Sequence, residues 1–198
     1  MASIVTIWNM ALSRVGVNAS IESPDERSVN AETCRAHWDQ ARDYALEDFP
    51  WSFARRRVAL ADLGTPPSTW AYSYAYPTDC LFAMALVLPG VRVPRWDQRP
   101  PFEIGFDGTQ TVIYTDLEQA ELIYTARVED PNRYGALFMD VAGWALAELI
   151  AIPLSSKPEL ADTAKKGYER AKSKAAAKNL SEAQEGPEPE CELLAARR

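Results

Sequence analysis

Fourteen prolines partition this 198-residue chain unevenly. None falls within 1–23, 25–49, 132–152 or 159–186, and eight crowd into 50–101. Proline removes a backbone N–H and its ring collides with the preceding helical turn, so helix interiors reject it. The four open windows therefore predict helices, and the crowded stretch predicts extended chain.

The spacing of apolar residues agrees. Ile4, Ile7, Trp8, Leu12 and Val15 recur at helical intervals, with Ser3 placed to cap the start and Gly16 to end the helix. A second helix is predicted from about Ser28 to Asp48. Val29, Cys34, Trp38, Ala41, Ala45 and Phe49 form its apolar stripe, while Arg35, Asp39, Arg42, Asp43 and Glu47 form its polar face. Pro50 stops it. A third, from about Arg133 to Ile152, carries Leu137, Val141, Trp144, Ala145, Leu149 and Ile152. It is apolar nearly all round, which predicts the most buried helix, ended by Pro153. A fourth, from about Pro158 to Lys178, has Leu160, Ala164, Tyr168, Ala171 and Ala175 on its seam.

Residues 51–68 are transitional, and then the period changes to two. Trp70, Tyr72, Tyr74 and Tyr76 alternate with small residues, and Leu81–Leu88 is an apolar run closed by Pro89-Gly90. Val91 and Val93 could form a further arm. Phe102, Ile104 and Phe106 lead to the turn Asp107-Gly108, followed by Val112 and Tyr114, then Leu122 and Tyr124. A four- or five-stranded antiparallel sheet is predicted over 70–128. Helix, helix, sheet, helix, helix predicts an α+β fold: an antiparallel bundle of about four helices, 3–58 and 131–178, with a small antiparallel β region inserted at 68–128. Residues 1–180 would form one domain. Glu182, Glu185, Glu188, Glu190 and Glu192, with Pro187 and Pro189, predict a flexible acidic tail over 181–198.

Charge narrows the functional classes. Lys plus Arg number 21 and Asp plus Glu 28, a net charge of −7. Such a chain is poorly suited to coat duplex DNA, which needs net basic surface. The charge is unevenly spread. Residues 157–178 carry Lys157, Lys165, Lys166, Arg170, Lys172, Lys174 and Lys178 against Glu159, Asp162 and Glu169, a net of +4. The tail from 179 has a net of −3, which leaves −8 over 1–156. A basic helix on an acidic body suits docking between like subunits or onto a partner.

Candidate chemistry is sparse. Cys34, Cys80 and Cys191 are odd in number, with no CxxC pair, so neither a disulfide framework nor a zinc site is predicted. His37 is the one histidine, a turn from Cys34, with nothing to supply an oxyanion hole. Asp39, Asp43 and Glu47 share a helical face with interleaved arginines, which suits a salt-bridged surface more than a metal or acid–base site. Asp140 and Glu148 are the other carboxylates a hydrolase could use. Arg55-Arg56-Arg57 could meet phosphates or an acidic protein partner. The Trp70–Tyr76 ladder could stack sugars or pack inside a sheet. No phosphate-binding, nucleophile-elbow or HExxH pattern is present, and no cofactor or metal is expected. The N-terminus lacks the pattern of a secretory signal, and the apolar stretch Trp144–Ile152 is too short to span a bilayer, so no membrane anchor is expected.

Three pieces of sequence carry a family likeness. They are Asn9-Met10-Ala11-Leu12-Ser13-Arg14-Val15-Gly16 with Ser20-Ile21, then Tyr44-Ala45-Leu46-Glu47-Asp48-Phe49-Pro50-Trp51-Ser52-Phe53-Ala54, then Tyr74-Ala75-Tyr76-Pro77-Thr78-Asp79-Cys80-Leu81. Ile123-Tyr124, Phe138-Met139 and Ala145 to Leu154 follow in order. Over about residues 3–178 the chain resembles the tail tubular protein A group of phage head-to-tail adaptors. The resemblance implies a helical bundle with an inserted β region and no enzymatic activity. It implies a ring, commonly of twelve copies, that binds beneath the portal protein, seals the DNA-filled capsid and carries the next tail protein. DNA would pass through the channel without specific binding. The location implied is the virion's head–tail junction, reached from the host cytoplasm during assembly. Portal contact would map to about 157–198, giving Lys165, Lys166, Tyr168, Arg170, Lys172, Lys174, Lys178, Leu193 and Leu194 as candidate portal or subunit contacts. Arg55, Arg56 and Arg57 are candidate tail or channel contacts. The rival expectations are a tail-associated cell-wall hydrolase and a carbohydrate-binding module.

Overall fold

A computed structural model describes residues 3–92 and 99–181. It shows the α+β architecture, with four helices and two three-stranded antiparallel sheets. Helix α1 (Ile4–Arg14) begins where the Ser3 hydroxyl accepts the Val5 N–H, and Gly16 leaves it with φ 76°, a conformation that favours a residue without Cβ. Helix α2 (Val29–Glu47) is capped by Ser28. Helices α3 (Ala136–Ser155) and α4 (Pro158–Ser181) complete the bundle. Helix α3 is the hub: α1, α2 and α4 each pack mainly on it, and α1 and α2 scarcely touch.

Several sequence expectations about these helices change. Pro153 lies inside the last turn of α3 and does not end it. So near the C-terminus it forfeits only one backbone bond, and the helix closes at Ser156 in the left-handed conformation, whose N–H reaches the Ile152 carbonyl at 2.9 Å. The apolar stretch is therefore the whole of α3, 20 residues whose most apolar window has a mean hydropathy of 1.7, long and apolar enough to cross a membrane by composition; half of that window is buried in the bundle. Val29 and Ile152, both expected on apolar stripes, are exposed. Arg42, expected on the polar face of α2, is buried between Asp39 and Asp43. Burial opposes its charge, but those carboxylates outweigh it and raise its pKa.

The β region is two sheets rather than one. Strand β1 (Arg55–Ala59) pairs with β6 (Glu121–Ala126), which pairs with β3 (Cys80–Val87). In the second sheet β5 (Thr111–Thr115) lies between β2 (Tyr72–Ala75) and β4 (Phe102–Phe106). The expected helical segment 3–58 therefore ends earlier, since 55–59 are sheet. The two sheets share a core of Tyr74, Leu86, Ile113, Leu122 and Tyr124. Val93 lies outside the described residues.

An aromatic knot joins bundle to sheet. Trp51 meets Phe138 edge-on at 5.2 Å, Phe53 meets Phe138 at 5.0 Å, and Tyr134 meets Phe138 at 4.9 Å. The Trp51 indole donates to the Ala45 carbonyl at 2.7 Å, tying the segment after Pro50 back onto the end of α2. Asp79 ties the sheet side: it accepts from the Tyr124 hydroxyl at 2.9 Å and from Arg56 at 2.5 Å.

Candidate interaction surfaces

Helix α4 lays Ala164, Tyr168, Ala171 and Ala175 on the bundle. Tyr168, expected at an outer contact, is 1% exposed. Its hydroxyl donates to Asp48 at 2.6 Å, and Lys172 reaches the same carboxylate at 2.8 Å. Asp48 caps the C-terminal end of α2, where the helix dipole disfavours an anion, and these two donors offset that. Burial works against its charge, yet the bonds from Lys172 and Tyr168 hold the Asp48 carboxyl below its usual range. The same bond to Asp48 raises the Lys172 pKa. Tyr168 and Lys172 thus belong to the clamp that seats α4, and the burial of Tyr168 corrects its placing as a docking residue. The helical period hides this role, because a buried tyrosine on a seam looks the same with or without a carboxylate waiting for it.

The remaining cations of α4 stay outside. Lys165, Lys166, Arg170 and Lys174 are exposed, and none has an ion-pair partner among the described residues. Lys166, Arg170, Lys174 and Lys178 follow at intervals of four, so they make one ridge winding along the helix. Arg170 and Lys174 each stand two residues from Lys172, about 200° round the helix. They leave α4 on the flank opposite the clamp. At its far end the ridge meets a cavity of about 270 Å³ lined by Trp51, Phe53, Arg133, Phe138, Lys178 and Asn179. Leu193 and Leu194 lie outside the described residues.

The arginine run is the exposed edge strand β1. Charged side chains on an edge discourage pairing with another sheet. Arg56 is held by Asp79. Arg57 pairs with Glu121 and donates to the carbonyls of Leu88 at 3.0 Å and Val91 at 2.7 Å. The Arg55 side chain alone has no bonded partner among the described residues. The run therefore offers one free guanidinium rather than three.

Several other candidates fall into structural roles. Cys34 is fully buried and burial pushes its thiol up to about 12, the reverse of an activated nucleophile. Asp39 and Asp43 hold Arg42, Asp43 also takes Arg127, and Asp140 pairs with Arg14. Tyr74 is 3% exposed within the core between the sheets, and Tyr72 stacks on it at 6.3 Å. Trp70 donates to Glu103 of β4 at 3.0 Å. Tyr74 therefore belongs to the core, whereas Trp70, Tyr72 and Tyr76 remain half-buried. Among the described residues, no cluster of His, Cys, Asp and Glu is arranged to hold a metal ion.

One surface brings together carboxylates that the sequence offered on separate helices. Between α2 and α3 an open groove of about 480 Å³ is lined by Gln40, Asp43, Tyr44, Glu47, Glu148 and Leu149. Tyr44 is half exposed, and Glu47 and Glu148 have no cation within ion-pair distance among the described residues. They are 101 positions apart in the chain, and only the packing of α2 on α3 brings them to one groove. No family model matches the chain, and no curated protein matches it in sequence.

Proposed function

We propose that this chain is a structural head-to-tail adaptor of a phage virion, a ring subunit that binds beneath the portal, closes the filled capsid and carries the next tail protein. The observation that carries this reading is the row of exposed cations Lys166, Arg170 and Lys174 on α4, set on an otherwise acidic body. Such a surface suits docking onto an acidic surface, of a like subunit or of a partner, and fits the charge pattern read from the sequence. The likeness to the tail tubular protein A group adds support of a different kind. The pieces that carry it hold the joints of this fold: Asn9 braces Ile21, Trp51 and Phe53 fill the aromatic knot, and Asp79 ties the sheet. An acidic body also suits a channel through which DNA must slide without adhering.

The test is the mass of the purified chain in solution, alone and mixed with its portal. A monomer alone that joins the portal in a fixed ring stoichiometry, commonly twelve, is the expected result. A stable ring in dilute solution without portal would contradict assembly on the partner. A chain that ignores the portal would overturn the adaptor reading altogether.

A further inference from the structure

We infer that the ridge Lys166, Arg170 and Lys174 of one copy lies in the Glu47/Glu148 groove of the next copy, and that this contact joins neighbours in the ring. The inference rests on the adaptor reading for the ring itself, and on geometry for the contact.

Both surfaces are incomplete by themselves. The groove presents two carboxylates without cations beside a half-exposed tyrosine ring, Tyr44. The ridge presents three exposed cations without carboxylates. Tyr44 offers a face for a guanidinium as well as apolar area, so an arginine between two lysines suits the groove. A helix ridge also suits a groove between two helices in shape.

One chain cannot satisfy both surfaces internally. Tyr168 and Lys172 turn towards Tyr44 and Asp48, on the groove's side of α4. Arg170 and Lys174 project from the opposite flank. Two different, complementary patches facing away from each other on one subunit define a head-to-tail contact, which closes into a ring when the rotation allows. The same contact is exposed and ionic, hence weak alone and sensitive to salt. That agrees with a chain that stays monomeric until a partner gathers copies together.

The test uses full-length chains in two charge-reversed forms. The first carries Lys166→Glu, Arg170→Glu and Lys174→Glu; the second carries Glu47→Lys and Glu148→Lys. All five positions lie outside the helix clamp, and thermal unfolding checks that each form folds. A carbodiimide, which couples amines to carboxylates in contact, is applied to concentrated mixtures of isotopically light and heavy chains, with and without portal. Mass spectrometry of the wild type should find links from Lys166 or Lys174 to Glu47 or Glu148 between light and heavy chains. Each reversed form alone should fail to complete a ring on the portal while retaining portal binding. Mixed one to one, the two forms should complete it, because every contact then pairs opposite charges. Either form completing the ring alone overturns the inference, as does absence of the intermolecular link in wild type. If the ridge-reversed form loses portal binding and the mixture restores nothing, the ridge faces the portal, and the inference fails while the adaptor reading stands. If the wild type ignores the portal, the adaptor reading fails, and the cross-link without portal still decides the contact.

Discussion

Asn9 grips the backbone of Ile21 with both ends of its side-chain amide. Its Nδ2 donates to the Ile21 carbonyl at 2.9 Å, and its Oδ1 accepts the Ile21 N–H at 2.8 Å. The pair closes the loop after α1 and presses Ile21, 2% exposed, into the bundle core. Replacing Asn9 by Ala orphans a buried donor and a buried acceptor. We expect a loss of about 1–3 kcal/mol in urea unfolding, with faster hydrogen exchange at the Ile21 amide. Asn9→Asp, which keeps the acceptor and loses the donor, should protect that amide better than Asn9→Ala does. Equal exchange in the two variants would contradict the pairing.

The clamp on α4 predicts a pH dependence. The Asp48 carboxyl has a folded-state pKa below its unfolded value. Such a group stabilises the fold above an unfolded pKa of about 3.9, and the contribution is lost as pH falls through the folded value. Lys172 is shifted upward, so its contribution is present below an unfolded pKa of about 10.4 and is lost as pH rises through the folded value. The two act together between about pH 5 and pH 9. Asp48→Asn should cost about 1–3 kcal/mol at neutral pH and flatten the acid side of the stability curve. An acid limb as steep as that of the wild type would assign the dependence elsewhere.

Trp144 is held between Arg14 and α4. The Arg14 guanidinium lies 4.1 Å from its ring centroid, and a Cβ added at Gly167 would come within 2.6 Å of the ring carbons. Alanine favours a helix over glycine by about 1 kcal/mol. The clash should outweigh that, so Gly167→Ala is expected to destabilise by a net of about 1–2 kcal/mol. A variant more stable than wild type would mean that the ring moves aside freely.

Burial makes Cys34 inert. With Cys191→Ser as background, a thiol reagent at pH 8 should leave Cys34 unlabelled in the native chain and label it on unfolding. Its thiol is pushed up to about 12 by desolvation. Cys80, half buried and also shifted upward by desolvation, should react slowly. Rapid native labelling of Cys34 would show that α2 opens locally.

What could be read from the sequence follows from which constraints are local. Proline placement and apolar period located all four helices, because both act within a few turns. Strand β1 left no trace, because Arg55–Ala59 is exposed at every position and so shows no alternation. The single expected sheet became two because alternation gives a strand its faces but not its partner. Strands β5 and β6 are consecutive in the chain yet belong to different sheets. The basic side of α4 was legible as composition. That Tyr168 and Lys172 serve α4 itself was not, since Asp48 is 120 residues from Tyr168. Asp43, Glu47 and Glu148 were each legible as candidates, but their meeting in one groove was not, for the same reason.

The hub position of α3 bears on how the chain matures on the ribosome. Helices α1 and α2 emerge first, but each finds its main partner in α3, and the whole β region is translated before that partner appears. During that interval Ile7, Trp8, Leu12, Trp38 and Leu46, all buried in the finished bundle, have no surface to close on. Each sheet takes all its ladder partners from residues 55–126, so both can pair before α3 is made. The strand ladders can therefore close while the bundle is still open, and the N-terminal helices reach their main packing surface only when α3 arrives.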